Sequence, residues 1–427
     1  MKENKYKSIL IGIIIFAILF RIFFIVKTNI YQLQFDVGIS TDYNAKIDYS
    51  QLYNNFHEEP NKGRHIDYIM QLYTNWELPT KIIGQFYHPP LHHFIMAITL
   101  HIMDIFTENS EIKFESMQVV TCAYSVIMIY ALYGILKELE IEDIYKIIAM
   151  LFFAFYPLYI FMAGSINNDE LVTMLALICL LYLIKWKKNP SMKNTIIIAV
   201  SIGLGLMTKS SMYVMVIPAV YVYFSTLIEH VNKDKNVKIL LVELLIFCLI
   251  ASILGFWFQI RGFLNGENTL GIIEPYEYLS IKDKGFWERF GIPGLGKFSE
   301  VNVWNNLVYT SLNFGIILKD SIYIKIMAFV AVTLVFDSVY FMCKKFKFEK
   351  TLLVSFIAWW FFYFFLNFQM PYSCSMHSRY MVVPISIATI YLAKGLQEEK
   401  SKVLKIQTMI SMIIVCLMSL GMFIFMI

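Results

Sequence analysis

Long apolar runs separated by short polar segments dominate the sequence. A helix that crosses a bilayer needs about 20 mostly apolar residues, because each residue advances it by about 1.5 Å through a hydrocarbon core about 30 Å thick. The pattern therefore predicts an all-α multi-pass membrane protein with about eleven spans, within a range of roughly 10 to 13. The predicted spans are 8–27, 117–136, 147–164, 170–186, 195–208, 212–228, 239–260, 321–342, 351–368, 379–396 and 407–427.

One further apolar stretch, His88–Phe106, is not predicted to cross the membrane. It contains four histidines and Asp104, and burying these side chains in hydrocarbon would cost several kcal/mol. An amphipathic helix lying in the membrane interface avoids that cost, and Pro89 and Pro90 suit the start of a helix. The same loop is predicted to contain a second surface helix, Lys62–Asn75.

The distribution of basic residues predicts which side of the membrane each loop occupies. With a cytoplasmic N-terminus, the inner segments contain 20 Lys and Arg residues in 58 positions, and the outer segments contain 14 in 172. Because cytoplasmic loops are enriched in Lys and Arg, two long loops, 28–116 and 261–320, are predicted to lie outside. The run from Ser8 to Val26 lacks a small-residue cleavage site after it and is expected to be a retained first helix.

Composition supports one membrane domain over residues 1–427 and excludes several other classes of protein. Apolar residues make up 58% of the chain and charged residues 16%, whereas soluble domains contain about 25% charged residues. The formal net charge of +4 does not suggest a nucleic-acid partner. The six cysteines include no pair with CxxC spacing, so neither a disulfide framework nor a zinc site is indicated.

The polar residues that flank the outer ends of the predicted spans are the candidates for chemistry. A carboxylate there can accept a proton from an attacking hydroxyl, and cations in a low-dielectric site can stabilise a departing phosphate. Together these groups indicate transfer of a group from a lipid phosphate to a hydroxyl. The candidate segments are Phe35–Gly38, Gly63–Ile69, Gln85–Leu91, Asn167–Glu170, Lys209 and Arg379.

The order of these segments resembles the GT-C membrane glycosyltransferases. The resemblance is carried by an Asp shortly after span 1, the Gly63–Ile69 and Tyr87–Leu91 segments, an Asn-Asp pair before span 4 and an Arg-Tyr pair at the start of span 10. Within that class the sequence is most similar to the protein O-mannosyltransferase and aminoarabinose transferase group. This resemblance implies an inverting glycosyltransferase of the cell membrane that uses a polyprenyl-phosphate sugar and a hydroxyl acceptor on the extracytoplasmic face.

The same resemblance implies roles for individual residues. Asp36 matches the family's first-loop acidic residue, which is the proposed general base or a carboxylate that binds the acceptor. Phe35 and Val37 flank it where the family often has a second acidic residue or His. His65 and His88 match loop residues that line the catalytic cavity.

Three more residues are implied to bind the substrates. Asp169 matches an acidic residue of the second outer loop that orients substrate. Lys209 and Arg379 match basic positions near the lipid phosphate. Structural alternatives stay open: Asp169 would also suit a cap of span 4, and Lys209 could extend toward lipid headgroups.

Two other functions are weighed against transfer. A transporter or flippase of a lipid-linked sugar would need polar groups or broken helices at mid-span, and few charges occur there. A structural subunit would not need polar clusters on one face. The ligands of a divalent metal are not indicated, because no HExxH pattern occurs. The donor sugar, the acceptor and the oligomeric state are not specified by the sequence.

Overall fold

The computed structural model of the protein describes residues 2–30, 49, 63–79, 84–233, 236–266, 280–292, 299, 301–313 and 321–426. These residues form seventeen α-helices joined by turns and short 3₁₀ segments. The helices are α1 Lys2–Lys27, α2 His65–Asn75, α3 Leu91–Asp104, α4 Ser110–Glu115, α5 Met117–Glu138, α6 Asp143–Phe155, α7 Pro157–Ala163, α8 Asn168–Lys188, α9 Met192–Leu206, α10 Val216–Asn232, α11 Lys238–Leu264, α12 Phe286–Phe290, α13 Val303–Asn313, α14 Ile322–Lys344, α15 Lys350–Gln369, α16 Val382–Glu398 and α17 Lys402–Met426. The predicted all-α membrane fold is therefore confirmed.

Each of the eleven predicted spans coincides with helical structure in the described part of the chain. Seven helical segments there are long and apolar enough to cross a membrane, or eight when the bent pair α6 and α7 is taken as one span. The remaining predicted spans correspond to α8, α9 and α16, which are shorter or carry charges at their ends. The exact number of spans stays a prediction.

The bend between α6 and α7 has a clear cause in the sequence. Helix α6 ends at Phe155 and α7 begins at Pro157, with an angle of 52° between them. Proline has no backbone N–H and its ring clashes with the preceding turn of a helix, so a bend at this position is expected. The side chains of α7 are all buried, which places the bent pair inside the bundle.

Glycines allow α9 and α11 to approach each other closely. A Cβ atom at Gly203 would lie 2.7 Å from Cβ of Leu254, and one at Gly255 would lie 2.8 Å from a methyl carbon of Leu206. Because lipid tails are as apolar as the side chains, close packing at small residues is a main source of helix association in membranes. Large apolar side chains on the outer faces, such as Leu245 and Phe336, remain exposed, as expected for lipid contact.

The two helices predicted in the first outer loop are present. Helix α2 begins at His65, three residues after the predicted start, and α3 spans Leu91–Asp104 directly after Pro90. They pack against each other around the buried side chains of Tyr68, Leu72 and Ala97. Among the described residues of segment 28–116, this helical hairpin reaches the candidate site.

Candidate functional site

Asp169 lies at the start of α8, where the chain returns into the bundle. The side chain of Asn167 caps this helix by accepting a hydrogen bond from the Asp169 N–H (2.9 Å). Helix N-termini favour negative charge, so an Asp in the first turn is stabilised there. The side chain is nevertheless buried, with 2% of the residue exposed, and a buried carboxylate requires a partner.

Lys209 supplies that partner from the C-terminal end of α9. It lies in the turn between α9 and a 3₁₀ segment, Ser210–Met215, and its Nζ is 2.6 Å from Oδ1 of Asp169. Asn168 strengthens the same junction by donating from its side-chain amide to the carbonyl of Thr208 (3.5 Å). The beginning of α8 and the end of α9 are therefore joined by an ion pair and a hydrogen bond.

Arg379 reaches the same carboxylate from a distant part of the sequence. It lies in the 3₁₀ turn Ser378–Met381 before α16, and its Nε is 3.4 Å from Oδ2 of Asp169. Both cations contact the Tyr380 ring, whose centre is 5.0 Å from Lys209 Nζ and 5.2 Å from the Arg379 guanidinium carbon. Lys209, Arg379 and Asp169, here called the cation cluster, carry one positive charge in excess.

The histidines of the first outer loop lie beside this cluster. The backbone N–H of Leu91 donates to the carbonyl of Met207 (3.0 Å), which fixes the start of α3 against the turn that carries Lys209. His88 lies three residues before Leu91. Its ring stacks on that of His65, with 5.9 Å between the ring centres. His65 in turn lies 2.8 Å from His93, measured between Nδ1 and Nε2.

Two glycines bring the histidine-bearing segments together. Gly63 and Gly84 both have positive φ angles, and a Cβ atom at Gly84 would lie 2.3 Å from the carbonyl oxygen of Gly63. Only glycine fits so close an approach in that conformation. The Gly63 carbonyl accepts a hydrogen bond from the N–H of Gln85. This bond holds the segments that contain His65 and His88 next to each other.

The electrostatics of the histidines reflect both burial and the nearby cations. Burial lowers the pKa of His88 well below its usual value, and the charges of Lys209, His65 and Arg379 add to this effect. Burial also lowers the pKa of His92 to about 3 and that of His93 well below 6.5. Desolvation disfavours the charged imidazolium, so all three rings are neutral at pH 7.

The structure thus brings five of the six predicted site residues into one region. Asp169, Lys209 and Arg379 form the cation cluster, and His65 and His88 lie beside it in the first outer loop. Asp36 lies outside the described residues, so its place relative to Lys209 stays a prediction.

Some neighbouring residues were not singled out from the sequence. The sequence indicates Tyr380 only as part of an Arg-Tyr pair, and its contact with both cations depends on the three-dimensional arrangement. Tyr87 is half-buried next to the cluster: burial raises the pKa of its phenol, and Tyr380 and Asp169 raise it further. The aromatic residue next to each motif is the signal that could have identified both tyrosines.

His88 is not part of the helix that follows it. Helix α3 begins at Leu91, so His88 lies before the helix and only His92 and His93 belong to it. Within the ranges that the structure describes, no three His, Cys, Asp or Glu side chains are grouped so that they could hold a metal ion.

Residues 87–257 match the family described as dolichyl-phosphate-mannose-protein mannosyltransferase. The matched segment contains His88, Asp169 and Lys209, whereas Arg379 lies beyond it. No curated protein matches the sequence.

Solved structures of two glycosyltransferases are similar to the fold. ArnT from Cupriavidus metallidurans in the apo state has a TM-score of 0.51 at 13% sequence identity, covering 82% of this chain and 57% of ArnT. The apo oligosaccharyltransferase of Archaeoglobus fulgidus has a TM-score of 0.46 at 12% identity, covering 96% of this chain and 56% of that protein. The chain thus spans less than three fifths of the length of either neighbour. It is a membrane protein with the GT-C fold, and its residues 87–257 are similar to the dolichyl-phosphate-mannose-protein mannosyltransferase family.

Proposed function

We propose that this protein transfers a sugar from a polyprenyl-phosphate donor to a hydroxyl acceptor on the extracytoplasmic face of the membrane, with inversion at the anomeric carbon. The observation that carries the proposal is the convergence of Lys209 and Arg379 on one buried site from different parts of the chain. The family description, which names a dolichyl-phosphate sugar, supports a lipid phosphate as the donor.

The cation cluster suits the charge that develops in such a reaction. When the bond between the anomeric carbon and the phosphate oxygen breaks, the released polyprenyl phosphate gains one negative charge. Cations already positioned in a site with little water stabilise that charge without reorganisation. Lys209 and Arg379 would hold the phosphate, and the excess positive charge of the cluster favours an anion.

Asp169 is expected to change partners when the donor binds. Without an anionic ligand, it neutralises Lys209 through a 2.6 Å contact. A phosphate placed between Lys209 and Arg379 would take over part of this role. The carboxylate would then be available to orient a sugar hydroxyl. His65 and His88 would contact the donor from the side of the first outer loop.

Asp36 is proposed as the general base. It follows span 1 closely in the sequence and would accept the proton of the acceptor hydroxyl as its oxygen attacks the anomeric carbon. General-base catalysis contributes about 10²- to 10⁴-fold to a rate. Asp42 and Asp48 in the same segment are the alternatives for this role.

The test is incubation of the purified protein with a panel of polyprenyl-phosphate sugars and hydroxyl acceptors, with release of free polyprenyl phosphate as the measurement. Asp36→Asn should lower turnover by about 10² or more, and Asp42→Asn is the matched control that should retain it. Lys209→Met should lower turnover by about 10²- to 10³-fold. The exposed Lys233→Met is its control.

Three results would contradict the proposal. Unchanged turnover in Asp36→Asn would remove this residue from the mechanism, and a loss in Asp42→Asn alone would assign the base to Asp42. Full turnover in Lys209→Met would show that the cation cluster has no role in the transfer reaction. Movement of a labelled lipid-linked sugar across vesicle membranes without release of polyprenyl phosphate would favour a flippase.

A further inference from the structure

Thr310 is a buried polar residue of the long loop 261–320 that the proposed reaction does not yet use. It belongs to α13, and only 3% of the residue is exposed. Its Oγ1 accepts a hydrogen bond of 2.9 Å from the backbone N–H of Ser378, the residue that directly precedes Arg379. Thr310 therefore connects this loop to the turn that carries one of the two cations of the candidate site.

Hydrogen bonds near both ends of α13 fix the position of this helix. The hydroxyl groups of Ser311 and Tyr156 share a hydrogen bond of 2.8 Å, which joins α13 to the junction between α6 and α7. At the start of the helix, the side-chain oxygen of Asn302 accepts from the N–H of Asn305 (3.0 Å). All four of these residues are buried. The hydroxyl of Thr310 is thus a hydrogen-bond acceptor on a helix that is held in place.

Three side chains hold the backbone that leads into Arg379. Thr310 accepts from the N–H of the preceding residue, and the N–H of Arg379 itself donates to Nδ1 of His377 (3.2 Å). The hydroxyl of Tyr363 on α15 donates to the carbonyl of Met376 (2.6 Å). A single 3₁₀ turn makes few hydrogen bonds of its own, so contacts of this kind determine where it lies.

The position of this turn determines what the Arg379 guanidinium can reach. Its Nε lies 3.4 Å from Oδ2 of Asp169, and its Nη2 lies 3.3 Å from the hydroxyl oxygen of Tyr380. Hydrogen bonds depend steeply on distance and angle, so a small shift of the backbone would change both contacts. A buried backbone N–H without an acceptor is unfavourable, so a turn that lacks the Thr310 hydroxyl is expected to move toward another acceptor.

We infer that Thr310 is a positioning residue that holds the turn of Arg379 so that its guanidinium can bind the phosphate of the lipid donor. The inference rests on the proposed function, because it concerns the ligand of the same site. Thr310 is expected to act only through Arg379, by way of the hydrogen bond from the Ser378 N–H. The loop 261–320 would then contribute to the anion site through the backbone of that turn.

The test compares four variants of the full chain in lipid nanodiscs. Thr310→Val keeps the shape of the side chain but removes the acceptor, whereas Thr310→Ser keeps the hydroxyl. Arg379→Gln removes the positioned cation, and the double variant Thr310→Val/Arg379→Gln completes a cycle. The measurements are the Kd for polyprenyl phosphate, the Kd for uncharged polyprenol and the rate of sugar transfer.

We expect Thr310→Val and Arg379→Gln each to weaken polyprenyl phosphate binding by about tenfold, the effect of losing one hydrogen bond to a charged group. Thr310→Ser should retain most of the affinity, and the double variant should bind no more weakly than Arg379→Gln alone. Polyprenol binding should be unchanged, since this lipid lacks the charge that Arg379 would bind.

Thr389→Val is the matched control. Thr389 is a buried threonine of α16 whose hydroxyl donates to the carbonyl of Ile385 in its own helix (2.9 Å). The substitution removes a buried hydroxyl without changing a contact to the turn of Arg379. This variant should bind polyprenyl phosphate as the wild type does.

The outcomes separate the two proposals. Equal weakening of polyprenyl phosphate and polyprenol binding in Thr310→Val, or additive losses in the double variant, would overturn the positioning role and leave a purely structural one. Unchanged affinity of Thr310→Val in a protein that transfers sugar would overturn the inference and leave the proposed function. The expected binding pattern without sugar transfer would overturn the proposed function alone. A wild-type protein that binds polyprenyl phosphate no better than polyprenol would overturn both.

Discussion

A single buried carboxylate, Asp169, accounts for much of the geometry of the candidate site. Removing a carboxylate and two cations from water is costly, and the cost is offset only when the charges meet with good geometry. Oδ1 contacts Lys209 at 2.6 Å and Oδ2 lies 3.4 Å from Arg379. Such an arrangement fixes the ends of three helices relative to one another, so the residue that organises the fold locally would also tune the proposed anion site.

The buried histidines predict a loss of stability in mild acid. An unfolded chain binds a proton at each histidine below about pH 6.5, whereas burial lowers the pKa of folded His92 to about 3. The unfolded state binds more protons than the folded state between these two pH values. The contribution of the neutral histidine to the free energy of unfolding is therefore fully present above pH 6.5 and is lost as the pH decreases. The apparent midpoint of thermal unfolding should therefore be lower at pH 5.5 than at pH 7.5.

His92→Phe should reduce this decrease by up to about 1.4 kcal/mol at pH 5.5, one pH unit below the unfolded value. His101→Phe, which replaces a partly exposed histidine of the same helix, should leave the decrease unchanged. An equal pH response in wild type and His92→Phe would show that His92 does not carry the effect.

For single residues, the sequence predicted which side chains belong to the candidate site better than it predicted which side chains they contact. Flanking polar positions were sufficient to select Asp169, Lys209 and Arg379, because charges beside apolar helices are rare and require a reason. The contact of both cations with one carboxylate could not be predicted, since Arg379 is separated from Lys209 by several spans. The contact of the Tyr380 ring with both cations also depends on tertiary packing.

At the scale of the elements, the length of the apolar runs predicted the helices well, because the thickness of the bilayer sets the length of a helix that spans it. The bend at Pro157 also follows from local chemistry. The start of α3 at Leu91, directly after Pro90, agrees with the prediction that Pro89 and Pro90 begin this helix. The hydrogen bond from Leu91 to Met207 also holds this end of the helix, and it joins distant segments. Local rules thus define the elements, and long-range contacts define their ends.

Helix packing gives a prediction at Gly395. This residue of α16 faces the buried ring of Phe341 on α14, and a Cβ atom there would lie 2.1 Å from a ring carbon. Gly395→Ala should separate the two helices and destabilise the protein by about 1–3 kcal/mol, as overpacking of a core does. The measurement is the midpoint of thermal unfolding in detergent.

Gly12→Ala is the matched control because its Cβ would meet nothing within 4 Å. Its midpoint should equal that of the wild type or exceed it slightly, since alanine favours the helix. A Gly395→Ala midpoint equal to that of Gly12→Ala would contradict the packing between α14 and α16.

At the scale of the whole molecule, the proposed reaction requires the first outer loop and the cation cluster to face away from the cytoplasm. The excess of Lys and Arg in the other set of loops predicts this orientation. Two exposed positions report it: Glu77, just after α2, and Lys233, just after α10. With the native cysteines replaced, Glu77→Cys expressed in intact bacterial spheroplasts should react with a membrane-impermeant maleimide, whereas Lys233→Cys should react only after the membrane is opened. Labelling of Lys233→Cys in intact spheroplasts would invert the topology, and the extracytoplasmic site would have to be abandoned even if transfer itself were observed.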